Sequence, residues 1–446
     1  MRNSEPRIRN AESSTARDSS FVIRHAIVLA ALCSLFAGLA PAQTEIWTKI
    51  TATPGAVNLG ITLAPFGVSE PSLSGASDVL QATIHQDLVN SLFFALHQPD
   101  SGRVFASDAA NPDFTGWGST GASILLAGDV SARTLTIRLY DLLSKRLVAT
   151  KDYNRGPDDR QLGHRVADEI IKLLTGEEGI AQTRLVFARR QGDGRELYVI
   201  GQDGSGLKRL TGDGRLKYSP DWSPDGNRIA YSSYYDDRLL VFAYDVGTGV
   251  STVLCDAASM NDAPAWSPDG GTLAASLSTD DGSELYTMDA AGNRLHQITY
   301  NGGVNTSPAW SPNSQQLAFV SDRAGSPQVY VVSRDGTAQR RLTYEGTYNT
   351  TPAWSPRGDL LAYSSRQGGV NEIAITDLNG EGVKQLTFQG NNVEPCFSPD
   401  GLHIAFVSNR TGNDEIYVMN WDGTDQRQLT NLGGCSGPSW SPAPNP

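Results

Sequence analysis

The sequence predicts a two-domain protein: an N-terminal α/β (α+β) domain followed by an all-β six-bladed β-propeller. Three observations predict it. First, a Pro-x-Trp-Ser-Pro motif recurs, with aromatic positions Trp222, Trp266, Trp310, Trp354, Phe397 and Trp440 at spacings of 44, 44, 44, 43 and 43 residues. Periods of this length mark stacked or radial repeats. Second, helical periodicity is confined to the chain before residue 180. Third, the two ends of the repeat array complement each other.

The chain opens on basic residues (Arg2, Arg7, Arg9, Arg17, Arg24), then an apolar run from Ala26 to Ala40, then Ala40-Pro41-Ala42. A run of about 15 residues is short for a membrane span, which needs about 20. Basic flank, apolar run and A-x-A together predict a cleaved signal peptide over residues 1–42, with Gln43 the first mature residue.

Residues 43–182 form the predicted α/β domain. Ile61 to Phe66 predicts a strand. Ala76 to Leu96 predicts a helix, with Leu80, Ile84, Leu88 and Leu92 at four-residue steps. Ile124 to Leu126 predicts a buried strand, and Leu135, Ile137 and Leu139 alternate with polar residues as a half-buried strand does. Asp158 and Asp159 open a second helix with negative charge at its N-terminus. Leu162, Val166, Ile170 and Leu173 form its apolar stripe, and Gly176 ends it. A short link near Gly179 to Thr183 follows.

Residues 183–446 form the predicted propeller. In each unit Ser-Pro-Asp-Gly makes a tight turn, because Pro presets φ and Gly accepts the turn's end. A β-type run follows, such as Leu317-Ala318-Phe319, then a Gly-containing turn, a second run such as Val329-Tyr330, another Gly turn, and a third run ending in Leu-Thr. The Pro-x-Trp segment supplies a fourth strand. Four short strands in about 44 residues make a propeller blade. Residues 184–212 supply three strands with no Pro-x-Trp segment before them, and the chain ends on Pro438-Ser439-Trp440 with no strands after it. The last segment is therefore expected to pair with the first unit and close a ring of six, leaving no unpaired edge.

Composition narrows the function. The formal net charge of −12, or −14 without residues 1–42, argues against nucleic acid as partner. The hydrophobic fraction of 39% excludes a disordered chain. Cys255, Cys396 and Cys435 are too few and too widely spaced for a disulfide framework or a zinc site. They read as free thiols, with a Cys396–Cys435 bridge open if those segments prove adjacent. No G-x-S-x-G, H-E-x-x-H, P-loop or C-x-x-C motif occurs. His85, His97, His164, His296 and His403 are scattered. Asp225, Asp269, Asp400 and Asp422 read as turn residues, since they lack a calcium loop's alternating carboxylates. No catalytic residue, metal or cofactor is expected, and the protein reads as a non-enzyme.

The Trp series reads as architectural, because a wedge-shaped blade needs bulk against its neighbour. Arg190, Arg323, Arg366 and Arg410 read as turn braces or solvated charges. Asn261, Asn305, Asn349 and Asn392 occupy one place, five residues before the aromatic, with Asp262, Thr306 and Thr350 behind them. Repetition puts them in a ring on one face, near the central channel. The alternative is that Asn there serves the turn conformation.

At this point the chain resembles the TolB family, the periplasmic component of the Tol–Pal envelope system. The resemblance rests on the order of parts and on two stretches. One is Gly163-His164-Arg165-Val166-Ala167-Asp168-Glu169-Ile170 with Leu174-Thr175-Gly176, Gly179 and Thr183-Arg184; the other is the repeat set, as in Asn305-Thr306-Ser307-Pro308-Ala309-Trp310-Ser311-Pro312. It implies a periplasmic, monomeric interaction protein. The propeller would bind the peptidoglycan-associated lipoprotein Pal through Asn261, Asp262, Asn305, Thr306, Asn349, Thr350 and Asn392, and Thr306 matches a position implicated in that contact. Pal would hold the protein at the outer membrane, in support of envelope integrity and constriction at division. A TolA contact would fall at Gln43, Thr44, Glu45, Ile46 and Trp47, which match the family's segment poorly. Phe93-Phe94-Ala95-Leu96-His97 also departs from the family's phenylalanine-asparagine-proline turn. A second reading is a periplasmic propeller that binds or hydrolyses a peptide or glycan.

Overall fold

The computed structural model describes residues 58–99, 109–300 and 302–444. The predicted leader over residues 1–42 and the segment Gln43 to Trp47 lie outside the described residues.

The N-terminal part is built on a mixed sheet. Strand Leu59–Leu63 pairs in parallel with both Phe94–Leu96 and Ile124–Val130; Thr134–Asp141 and Arg146–Asn154 then continue antiparallel. The helices Ser74–Asn90 and Asp159–Thr175 bury Leu80, Ile84, Leu88, Val166 and Ile170 against Ile61, Leu126 and Leu135 on one face. Gly163 permits their close approach, since a Cβ there would lie 2.8 Å from Cβ of Thr83. A short helix, Phe114–Gly118, places Trp117 on the other face. The second long helix starts as predicted: the Asp158 side chain accepts from the Gln161 N–H at 2.9 Å, and Gly176 ends it at φ +80°.

The first helix stops at Asn90, not at Leu96 as expected. Ser91 Oγ donates to the Leu88 carbonyl at 2.7 Å, and Leu92 takes a left-handed φ of +62°. The chain reverses there, and Phe94–Leu96 joins the sheet edge. Apolar periodicity runs through Leu92 and Phe93 because both still face the same core.

The repeats form antiparallel sheets in which the Trp-bearing strand comes first, then two long strands, then a short outer one. The sheets are not six separate units as expected. Four are four-stranded, and the repeats holding Trp266 and Trp310 share one eight-stranded sheet. The join is a parallel pairing of Gly282 with Gly303 and Ser283 with Val304. Two glycines permit it: a Cβ on Gly282, at φ +143°, would lie 2.1 Å from the Gly303 carbonyl oxygen.

The last strand, Cys435–Trp440, pairs antiparallel with Arg184–Gln191, so the carboxyl end completes the first sheet. Ser441 N–H donates to the Arg184 carbonyl at 2.7 Å, and Trp440 Nε1 donates to Thr183 Oγ1 at 2.7 Å. Each repeat aromatic packs on the sheet before it: Trp222 on Leu197 and Val199, Trp354 on Val329 and Val331, Trp440 on Ile416 and Val418. All six are buried. The Ser-Pro-Asp-Gly turns close as their chemistry predicts. Ser223 Oγ donates to Asp225 Oδ1 at 2.5 Å while accepting from the Arg228 N–H at 2.9 Å, and Gly226 sits at φ +70°.

The N-terminal part docks on one end of the repeat array. Leu402, from a turn between the first and second strands of a sheet, belongs to its core, and Trp421, from a turn between the third and fourth, packs against that core. Strand connectivity puts both kinds of turn on the same face. A buried polar cluster completes the contact. His164 Nδ1 lies 2.7 Å from Asp87 Oδ2, and His164 Nε2 lies 3.3 Å from Asp203 Oδ2 of the first repeat. Arg160 also reaches Asp203, at 3.1 Å. Burial alone would lower the His164 pKa, but the hydrogen bonds to Asp203 and Asp87 outweigh it and raise the group to about 9. Burial works to raise Asp203 as well, but hydrogen bonds from His164 and Ser205 hold it below the usual carboxylate range.

Two predictions follow from these contacts. His164 titrates near 6.5 unfolded and near 9 folded, so its proton-linked stabilisation is complete below about pH 6.5 and is lost as pH rises through about 9. Calorimetric midpoints of the native chain should therefore fall across that window, and those of His164→Ala should fall less. Removing residues 435–446 opens the ring and strips the first sheet of its inner strand. Thermal unfolding followed by circular dichroism should lose cooperativity or shift sharply down.

Candidate functional site

Six inner strands surround the channel: Lys217–Trp222, Asn261–Trp266, Gly303–Trp310, Asn349–Trp354, Asn392–Phe397 and Cys435–Trp440. Each has a left-handed residue directly before its proline, Ser219, Ala263, Ser307, Thr351, Glu394 and Gly437, with φ between +48° and +59°. The pairing register slips at the same place in every strand. These are β-bulges, each followed by proline. The bulges turn the backbone into the channel, and the prolines line it. A β-branched residue such as Thr351 adopts positive φ only where the surroundings impose it.

The asparagine ring does not face a partner. Asn261, Asn305, Asn349 and Asn392 are all 0% exposed and spend their amides inside the fold. Asn392 Nδ2 donates to Glu372 Oε2 at 2.7 Å and to the Gln389 carbonyl at 2.9 Å. Asn305 Nδ2 donates to Glu284 Oε2 at 3.0 Å, and Asn349 Nδ2 to Gln328 Oε1 at 2.8 Å. Asn261 donates to the Leu239 carbonyl at 2.9 Å. None of the four takes a left-handed φ; the strained residue lies two positions on. The expectation that these side chains contact a partner is thus corrected, because burial leaves them no accessible surface.

What they do is fasten one repeat to the next. The recurrent Leu-Thr explains how. Thr387 Oγ1 donates to Glu372 Oε2 at 2.6 Å and accepts from the Ile373 N–H at 2.8 Å, and Glu372 holds Asn392 of the following repeat. Thr343, Gln328 and Asn349 repeat the arrangement. Where Asn is replaced, the donor changes. Lys217 is buried and its Nζ lies 3.1 Å from Glu196 Oε2, with Asp213 as second partner. Before Cys435, the backbone N–H groups of Leu432 and Gly433 hold Glu415 at 2.9 and 2.7 Å.

The arginines divide. Arg410 Nη2 donates to Asn392 Oδ1 and Arg323 Nη2 to Asn305 Oδ1, each at 3.0 Å, and both guanidiniums stack over aromatic rings. These two are braces as predicted. Arg366 stands one residue earlier relative to its paired strand and bonds Asn371 at 3.2 Å, and Asn349 Oδ1 is buried without a partner. Arg190 is exposed, and Arg189 instead reaches the Leu432 carbonyl at 2.7 Å.

Asp262, Thr306 and Thr350 remain half-buried on the inner strands. They stand at the end of each strand remote from the turns that hold Leu402, so they border the face opposite the N-terminal part. Two acids that the sequence reading passed over also enter the channel wall. Asp221 accepts from the Trp266 N–H at 2.7 Å and the Ser439 hydroxyl at 3.1 Å; burial pushes it up to about 6 against those bonds. Glu394 accepts from the Gly437 N–H at 2.6 Å and is likewise raised by burial. Their signal was their departure from the Ala and Ser common at those repeat positions. Cys255, Cys396 and Cys435 are free, so no Cys396–Cys435 bridge forms. Among the described residues no group of three or more His, Cys, Asp or Glu side chains is arranged to hold a metal. No helix among them is long and apolar enough to cross a membrane.

The brace geometry yields a prediction. Arg410→Ala leaves Asn392 Oδ1 buried and unpaired, at a cost of about 1–3 kcal/mol. Arg366→Ala breaks no such bond and should cost less. Urea unfolding of both variants checks the difference.

Comparison with known proteins agrees with this architecture. Residues 171–444 match the TolB beta propeller domain model, and residues 49–148 match the TolB amino-terminal domain model. The Tol-Pal system protein TolB of Polaromonas sp. (strain JS666 / ATCC BAA-500) is 31% identical over 235 residues, 51% of this chain and 54% of that one. That of Syntrophus aciditrophicus (strain SB) is 38% identical over 185 residues, 39% of this chain and 40% of that one. The matched part thus spans about half the length, or less, of these curated relatives. The crystal structure of TolB from Acinetobacter baumannii superposes with a TM-score of 0.75 at 26% identity, over 86% of this chain and 97% of that one. With a family model matching more than half of its residues, the chain belongs to the TolB family.

Proposed function

We propose that the protein is a non-enzymatic component of the Tol–Pal system that binds the peptidoglycan-associated lipoprotein Pal on the propeller face opposite the N-terminal part. The observation that carries this reading is the proline-lined channel, with Asp262, Thr306 and Thr350 standing half-buried just beyond its lining, at the strand ends away from the N-terminal part. The family match and the name Tol-Pal system protein TolB, borne by its relatives, support the partner. The buried asparagines act in this reading by holding the rim in place.

The propeller is read as six-bladed, the eight-stranded sheet counting as two blades joined by the Gly282–Gly303 pairing, with the domain boundary at residues 182 and 183. The protein works as a periplasmic monomer, peripheral to the outer membrane through Pal, in support of envelope integrity and constriction during division. A TolA contact through Gln43 to Trp47 completes the scheme. No cofactor enters it.

Thr306→Arg and Thr350→Arg place long charged side chains at those strand ends without touching the buried fasteners. In a pull-down with soluble Pal, each is expected to lose binding while keeping the native thermal midpoint. Undiminished binding by both variants would remove this rim from the contact.

A further inference from the structure

Three aromatic rings stand in solvent at one repeat position. Tyr300, Tyr344 and Phe388 are 69%, 68% and 73% exposed, at intervals of 44 residues. Each follows a fastening threonine, Thr299, Thr343 or Thr387, which is buried. Chain direction explains the exposure: with the threonine turned inward, the next side chain points out. The fold does not require a ring there, since the corresponding residues elsewhere are Gly212, Asp256 and Asn431.

The three rings lie on consecutive repeats, in the connections from an outer strand to the next inner strand. That end of each sheet is opposite the turns carrying Leu402 and Trp421, so nothing of the N-terminal part covers it. Met260, Val304 and Val370, all more than two-fifths exposed, extend the apolar character on the same face. Clusters of exposed apolar groups on one face mark interaction surfaces, and Tyr is enriched among interface anchors.

The exposed charge in the turns around the arc is acidic, while the half-buried Arg341 guanidinium lies 5.0 Å from the Tyr344 ring centroid and donates from Nε to the Thr343 carbonyl at 2.6 Å. In the turns of this face between residues 256 and 393, the exposed charged side chains among the described residues are Asp256, Asp280, Asp281 and Glu345. Arg323 is half-buried and committed to Asn305, Ser321 and Gln339.

We propose that Tyr300, Tyr344 and Phe388 form an anchoring arc for a protein partner whose docking element carries apolar side chains flanked by Lys or Arg. The proposal rests on the reading that this face receives Pal, and it assigns the affinity to the arc, outside the channel. The rings supply apolar area, and the carboxylates steer the approach.

The test uses the full mature chain with soluble Pal as the probe, in biolayer interferometry at low and high salt. Leu143→Ala, an exposed apolar change in the N-terminal part, is the control. Tyr344→Ala and Phe388→Ala are each expected to weaken binding about five-fold or more, with unchanged thermal midpoints. Association of the native protein should slow as salt rises, because the attraction is screened. Native-like affinity in both ring variants, with binding lost in Thr306→Arg, overturns the arc and leaves the docking reading standing. Binding retained in all three overturns both. Association that quickens with salt refutes the cationic partner.

Discussion

In four repeats a hydrogen bond from a threonine hydroxyl to an acid or amide on the neighbouring strand, from Thr211, Thr343, Thr387 and Thr430, holds the repeats in order. The hydroxyl also takes the N–H of the residue after that acid, so the short outer strand is locked to the third strand. The acid then reaches forward to the next repeat's asparagine, as in Thr387, Glu372 and Asn392. A buried carboxylate is tolerable only when its lone pairs are taken, and here each member satisfies the others. The unit therefore works as a fastener between consecutive sheets, one that apolar contact alone would leave free to slide. Its variants follow the same rule: an ammonium serves at Lys217, and backbone N–H groups serve at Leu432 and Gly433.

With register held in this way, the inner strands can carry strain. Every one has a left-handed residue before its proline, and in five of six that residue is not glycine. The same bulge at the same place, six times, gives the channel a wall of prolines and bent backbone. The wall is then modified locally by Asp221 and Glu394, whose carboxylates are paired with N–H and hydroxyl donors of the adjoining strands. Closure by Cys435–Trp440 binds the array into a ring and brings Ser439 against Asp221, so the carboxyl end also shapes the channel.

The two faces of the array have different fates. The face with the Leu402 and Trp421 turns is occupied by the N-terminal part, where His164 bridges carboxylates from both sides. The opposite face is left with the half-buried threonines and the exposed rings.

The sequence by itself determined the repeat period, the turn chemistry, the inward aromatic and the complementary ends, because these depend on local conformation and on volume recurring at fixed spacing. The second helix was readable to the residue at both ends for the same reason: Asp158 and Gly176 act on their own neighbours. Only the tertiary structure decided the rest. The first helix ends early because Phe94–Leu96 finds a partner in Leu59–Leu63, which periodicity does not reveal. The eight-stranded sheet depends on two glycines, 282 and 303, meeting across repeats. The asparagines recur at one strand position, yet their burial follows from groups some 20 residues away in sequence, such as Glu372 before Asn392. Polar character alone does not tell a docking group from a fastener; the position of its hydrogen-bond partners does, and that is a property of the folded chain.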